Sequence, residues 1–166
     1  MIFSVIGLNA AFTQPIIKIW GSVDSPAIHK QVVNYLNYLD VQEKIFLSVG
    51  ITKNIPRGMK GMTFSVTTPK SQTSPIIKVL INAQLDEEEL RVTLAHEMVH
   101  VKQYAKGKLA VFDEHQLLWE GRKVAYRRAS YDRLSPWELE AHRLDHRLVK
   151  LFDQREEVLL ARERFY

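Results

Sequence analysis

The chain has 166 residues, a formal net charge of +4 and 46% hydrophobic residues. That length suits a single domain, residues 1–166, with a core that needs no disulfide or metal staple, and so modest and mixed a charge does not mark a dedicated nucleic-acid binder. The absence of cysteine excludes disulfides and thiolate metal sites, so a transition metal would have to be held by histidine and carboxylate groups.

Residues 1–12 are apolar but lack a positive leader and are interrupted by Asn9. The run is too short and irregular to cross a bilayer, and it reads as a first strand with Ile2, Val5 and Ile6 inside rather than as a signal peptide. With no leader or anchor in view, the expectation is a soluble cytoplasmic protein with no membrane partner.

Ser25-Pro26 then opens a helix, serine as cap and proline at the first helical position, with Ile28, Val32, Tyr35, Leu36 and Leu39 on one side. Residues 43–51 predict a strand in which Ile45, Leu47 and Val49 alternate with Lys44, Phe46 and Ser48. A second strand is expected at 62–67, after a loop holding Pro56, Gly58 and Gly61, and residues 69–75 read as a polar turn. Residues 76–85 predict a strong third strand that runs almost directly into the next helix. A strand so placed can wall a cleft, and an open edge there would take an extended peptide as an added strand; the other reading is a core strand without a ligand.

Asp86 followed by Glu89 is a capping-box pattern, and the carboxylates of residues 86–89 meet the positive end of the helix dipole. Leu90, Leu94, Val101 and Tyr104 give the helix a core face, and Lys102, Lys106 and Gly107 mark its end. Inside it lies His96-Glu97-x-x-His100. Residues four apart share a helix face, so His96 and His100 can offer two imidazoles to one metal ion. Glu97 is placed to reach a water activated by that metal, which suits a general base.

Residues 116–126 carry Glu120-Gly121 between apolar runs, which predicts a short hairpin, because Gly121 would cost about 1 kcal/mol in a helix interior. Arg122, Lys123, Arg127, Arg128 and Arg133, interleaved with Tyr126 and Tyr131, form a basic cluster. It reads as a solvated loop in preference to a nucleic-acid contact. Ser135-Pro136 starts a last helix that continues towards Tyr166.

A catalytic zinc wants three protein ligands and an open position. On the last helix Trp137, Ala141, Leu144, Leu148 and Leu151 recur at three- and four-residue intervals and define the expected buried side. Glu140 then points inward and needs a strong partner, for which a zinc ion on His96 and His100 is the obvious candidate. Glu138 falls on the more polar side, facing solvent or supporting the ligands from behind. His142 and His146 share that side and read as surface histidines, and His115 and His29 have no motif around them.

His96-Glu97-x-x-His100 followed by Pro136-Trp137-Glu138-Leu139-Glu140-Ala141, with Trp119-Glu120-Gly121-Arg122 between them, resembles the compact gluzincin zinc metallopeptidases of the SprT-like or phage-encoded kind. The resemblance covers about residues 76–145. It implies an α+β, zincin-like domain, a small mainly antiparallel sheet packed on the motif helix and a long C-terminal helix. It also implies Zn2+ on His96, His100 and Glu140, Glu97 as base and a protein or peptide substrate. The Glu-x-x-x-Asp spacing of thermolysin-type enzymes is absent, since Asp145 lies five after Glu140, so no aspartate behind a zinc histidine is identified. Tyr126, Tyr131 or His142 would supply the oxyanion donor. Two other readings stand beside this one: an inactive zinc-containing binding module, and a DNA-associated SprT-like protease docking through residues 122–133.

Overall fold

The computed structural model describes residues 14–21, 25–66, 74–113, 115–125 and 134–163. The strand expected at residues 1–12, most of the turn at 69–75, and Tyr126, Arg127, Arg128, Tyr131 and Arg133 lie outside them.

The order is β1 (Ile16–Gly21), α1 (Ser25–Tyr38), β2 (Phe46–Thr52), β3 (Gly61–Ser65), β4 (Ile76–Asn82), α2 (Glu87–Ala105), β5 (Leu109–Val111), β6 (Gln116–Trp119), β7 (Arg122–Ala125) and α3 (Pro136–Glu163). The α+β class holds. The sheet does not follow the expected pairing: in the order β1-β2-β4-β3, β1, β2 and β4 run parallel and only β3 is antiparallel. The physical reason is α1, which carries the chain back over the sheet between β1 and β2 as a crossover and leaves them parallel. β1 was not anticipated: its burial alternates, with Ile17 and Ile19 against the core, but the outward positions include Ile16 and Trp20, so the sequence shows no apolar–polar alternation.

In β2 the alternation predicted from sequence is the burial observed, and β4, expected as a strong strand, alternates in the same way. Leu47, Val49, Ile77, Val79 and Ile81 pack beneath the helices, while Phe46 and Ile76 face out. β4 is not an edge, since it lies between β2 and β3. The edge beside the motif helix is β3, whose only ladder among the described residues is with β4.

Helix α2 begins where its cap predicts, with the Asp86 carboxylate accepting from the Glu89 backbone N–H at 2.8 Å. The Glu89 side chain does not close the box but pairs with Lys60 at 2.6 Å. From Thr93 to Val101 every residue of α2 is buried, because the helix lies between the sheet and α3.

The expected hairpin at Glu120-Gly121 forms, with both residues at positive φ, 49° and 78°, and β5, β6 and β7 make a small antiparallel sheet. That sheet has its own core of Leu109, Leu117 and Trp137, and the rings of Trp119 and Trp137 lie 6.1 Å apart. Trp137 is the second residue of α3, so this cluster seats the turn that carries Glu138 and Glu140. Among the described residues no helix is long and apolar enough to cross a membrane.

Asp86→Ala is expected to cost about 1 kcal/mol of stability by removing the cap of α2. Urea unfolding checks this as a lower midpoint with an unchanged slope.

Candidate metal centre

On α2, His96, His100 and Gln103 recur at four and three residues and form one polar stripe, all three buried. Facing it on α3, Glu138 and Asp145 are buried at a seven-residue spacing. Where the stripes meet, His96 Nε2 lies 3.2 Å from His100 Nε2 and 3.2 Å from Glu138 Oε2. The other Glu138 oxygen, Oε1, is 3.3 Å from His100 Nε2. Four ligands arranged tetrahedrally at zinc-like bond lengths of about 2.05 Å would stand about 3.3 Å apart, so these donor atoms have the spacing a small cation requires. Two imidazole nitrogens and a carboxylate turned towards one buried point repel unless a proton or a metal lies among them.

The carboxylate of α3 that meets the two imidazoles is Glu138 and not Glu140. Glu140 accepts from Lys102 Nζ at 2.7 Å and from Gln103 Nε2 at 3.2 Å. Its pKa is raised by burial, but the bonds from Lys102 and Gln103 outweigh that and hold it below the usual carboxylate range. Glu140 does have a strong partner, and it is a lysine. Of the expected buried face Trp137, Ala141 and Leu148 are buried, but Leu144 and Leu151 are half-buried, and the buried stripe turns instead to Glu138, Asp145 and Phe152. Two of its members are acids, so an apolar pattern cannot trace it.

Asp145 is the orienting aspartate that the sequence left unidentified. Its Oδ2 is 3.4 Å from His96 Nδ1. Burial raises its pKa, but hydrogen bonds from His96 and the backbone N–H of His146 prevail and keep the carboxyl below its ordinary value. The signal was present as a spacing of seven from Glu138, two helical turns on the same face. His100 Nδ1 is met by Gln103 Oε1 at 2.8 Å.

Glu97, one residue round from His96, points to the edge strand. Its Oε2 accepts from the Thr63 hydroxyl at 2.7 Å, and it is wholly buried. A Cβ at Gly61 would stand 2.5 Å from Glu97 Oε1 and 2.7 Å from Thr93 Cγ2, so only glycine lets β3 come this close. Burial raises the pKa of Glu97, ahead of the lowering by His100, His96 and Thr63. Gly61 and Thr63 carry no sequence motif, and the strand register alone brings them here.

His142 is exposed, as expected, yet it borders the centre. Its ring centroid is 4.6 Å from that of His96 and its Nδ1 is 3.5 Å from Asp145 Oδ2. His96, Glu138 and His142 offer ligand atoms within 4.8 Å of one another, so this group can hold a metal ion. His100 makes the tighter set with His96 and Glu138, because its Nε2 is buried and already faces both, whereas His142 stands on the solvent side. His29, His115 and His146 are exposed. Of the basic cluster, Arg122 and Lys123 are described and exposed, and the Lys123 ammonium sits 3.7 Å from the centre of the Phe112 ring.

Comparison with protein-family models, with curated proteins and with solved structures gives no match.

Burial lowers the His96 pKa, but hydrogen bonds to Asp145 and Glu138 and the charges of Glu97 and Glu138 more than reverse this and raise it to about 9. His100 is likewise raised, burial being outweighed by Glu138 and Glu97. A metal must displace these protons, so its binding releases protons at neutral pH, and affinity should rise with pH from neutrality to about 9. Competition against a chelator across that range, corrected for the chelator's own protonation, measures the slope.

Proposed function

We propose that the protein is a zinc-dependent peptidase of the compact gluzincin kind, with His96, His100 and Glu138 as ligands and Glu97 as general base. The observation that carries this reading is the buried Glu97 carboxylate beside two imidazole Nε2 atoms 3.2 Å apart, each 3.2 to 3.3 Å from one oxygen of the Glu138 carboxylate. Two imidazoles and one carboxylate are a donor set typical of catalytic zinc. Zinc so held would supply Lewis acidity and lower the pKa of a water at the site.

The residues around it account for the rest. Asp145 and Gln103 hold the two imidazoles by their Nδ1 atoms and leave Nε2 to the metal. Thr63 fixes the rotation of the Glu97 carboxylate. Burial gives Glu97 the raised proton affinity of a group that takes a proton from the attacking water and returns it to the leaving amine. β3, whose ladder among the described residues is with β4, runs past Glu97, so an extended peptide added along its other side as a strand would bring a peptide bond to the base.

His142 supports a second reading. As a fourth ligand it would close the coordination sphere and leave a structural metal in a binding module. The two readings differ in turnover, not in metal content.

Elemental analysis should find about one zinc per chain, lost in Glu138→Ala and His100→Ala. Glu97→Gln should keep the zinc and lower peptide hydrolysis by about a hundred- to ten-thousand-fold; undiminished turnover would remove Glu97 as base. Gly61→Ala, whose Cβ intrudes on Glu97 at 2.5 Å, should also lower turnover while metal content stays unchanged.

A further inference from the structure

The polar stripe of α2 continues past the metal ligands to Gln103, which is fully buried and has every polar atom engaged. Its Oε1 lies 2.8 Å from His100 Nδ1, and its Nε2 donates to the Trp137 carbonyl at 2.9 Å and to Glu140 Oε2 at 3.2 Å. A backbone carbonyl and a lysine-paired carboxylate only accept, so the amide has one orientation, with its NH2 towards them and its oxygen towards His100. That oxygen also only accepts, so the hydrogen must be on Nδ1 of His100. A neutral imidazole with its hydrogen on Nδ1 has its lone pair on Nε2, the atom 3.2 Å from His96 Nε2 and 3.3 Å from Glu138 Oε1. Lys102 completes the series by donating to Glu140 Oε1 at 2.7 Å.

We propose that Lys102, Glu140 and Gln103 form a positioning relay that fixes the metal-binding tautomer and ring orientation of His100. The inference rests on His96, His100 and Glu138 being the metal ligands. Glu140 thereby serves the centre without touching it. The relay also ties two ligands together. The Trp137 carbonyl held by Gln103 belongs to the residue before Glu138, so the bond that orients the His100 ring also sets the backbone that delivers the third ligand. The two histidines are served differently. His96 is held directly by an anion, Asp145, whereas His100 is held by a neutral amide, and the anion behind it is balanced by Lys102. A site that already gathers Glu97, Glu138 and Asp145 thus gains an orienting group without a further uncompensated charge.

The test compares zinc affinity, by chelator competition, in wild type, Gln103→Met, Gln103→Glu, Glu140→Gln, and the exchanged pair Gln103→Glu with Glu140→Gln. It also follows the His100 Nδ1 hydrogen by long-range nitrogen–proton correlation. Gln103→Met should bind zinc about ten- to a hundredfold more weakly, the loss expected when the partner of a metal-bound histidine is removed. Glu140→Gln should weaken binding less. The exchanged pair again offers His100 an acceptor and Lys102 an oxygen but leaves the Trp137 carbonyl without the Gln103 donor, so it should recover part of the loss of Gln103→Glu alone. A slowly exchanging Nδ1 hydrogen should be present in wild type and absent in Gln103→Met, a signature that a merely structural role would not move. Unchanged affinity in both Gln103→Met and Glu140→Gln, or an Nδ1 hydrogen that exchanges as slowly in Gln103→Met as in wild type, overturns the relay. Should Gln103→Met fail to fold, Glu140→Gln and the exchanged pair decide it by the same readouts. A wild-type chain that takes up no zinc defeats the metal reading; the Nδ1 hydrogen in metal-free wild type and Glu140→Gln then decides the relay, loss or faster exchange upholding it and no difference overturning it.

Discussion

Between α2 and α3 the protein buries charge where a helix pair of this kind would ordinarily bury hydrocarbon. His96, His100 and Gln103 on one helix face Glu138 and Asp145 on the other, all at 8% exposure or less. An unpaired ion in such a place costs several kcal/mol, so the arrangement persists only if each polar atom finds a partner at hydrogen-bond distance. That requirement fixes the rotation of both helices. Sliding α3 by one residue would withdraw Glu138 from the imidazoles and Asp145 from Nδ1 of His96 together. The apolar contacts on either side, Leu94 and Met98 towards the sheet and Ala141 and Leu148 in the shared core, fit that same rotation.

The remaining elements are arranged around this seam. The parallel strands β2 and β4 supply apolar side chains to the core that α2 shares. The antiparallel β3 brings a glycine and a threonine against Glu97, on the flank of α2 turned away from α3. The small second sheet anchors Trp137 and so the first turn of α3. Each borders the place where two carboxylates and two imidazoles converge. Glu97, one helical step from His96, is set apart from the imidazoles: a rotation of about 100° turns it from α3 to the edge strand.

Much of this order can be read along the chain. Strong local signals mark α1, β2, β4, α2, the Glu120-Gly121 hairpin and the start of α3, because proline at a first helical turn, aspartate at a cap and alternating apolar residues act within a few residues of themselves. The pairing of strands is not local. Whether β2 lies parallel or antiparallel to its neighbours depends on where α1 returns the chain, and nothing in residues 46–52 records it. β1, with Ile16 and Trp20 exposed at the sheet edge, lacks the alternation that would announce it.

The sequence by itself determined the motif helix, its cap, the shared face of His96 and His100 and the placement of Glu97 beside them. Helical periodicity is a property of the backbone, so a four-residue spacing settles that geometry wherever the helix lies. It also determined that α3 would bring a carboxylate to the region. Only the tertiary structure decided which one. Glu138 and Glu140 differ by two residues, about 200° of helix, and the apolar residues that ought to orient α3 give two stripes one residue apart. The choice between them belongs to α2, whose imidazoles fit Glu138 and Asp145 and whose Lys102 and Gln103 take Glu140, and no pattern within α3 can encode the chemistry of the helix it meets.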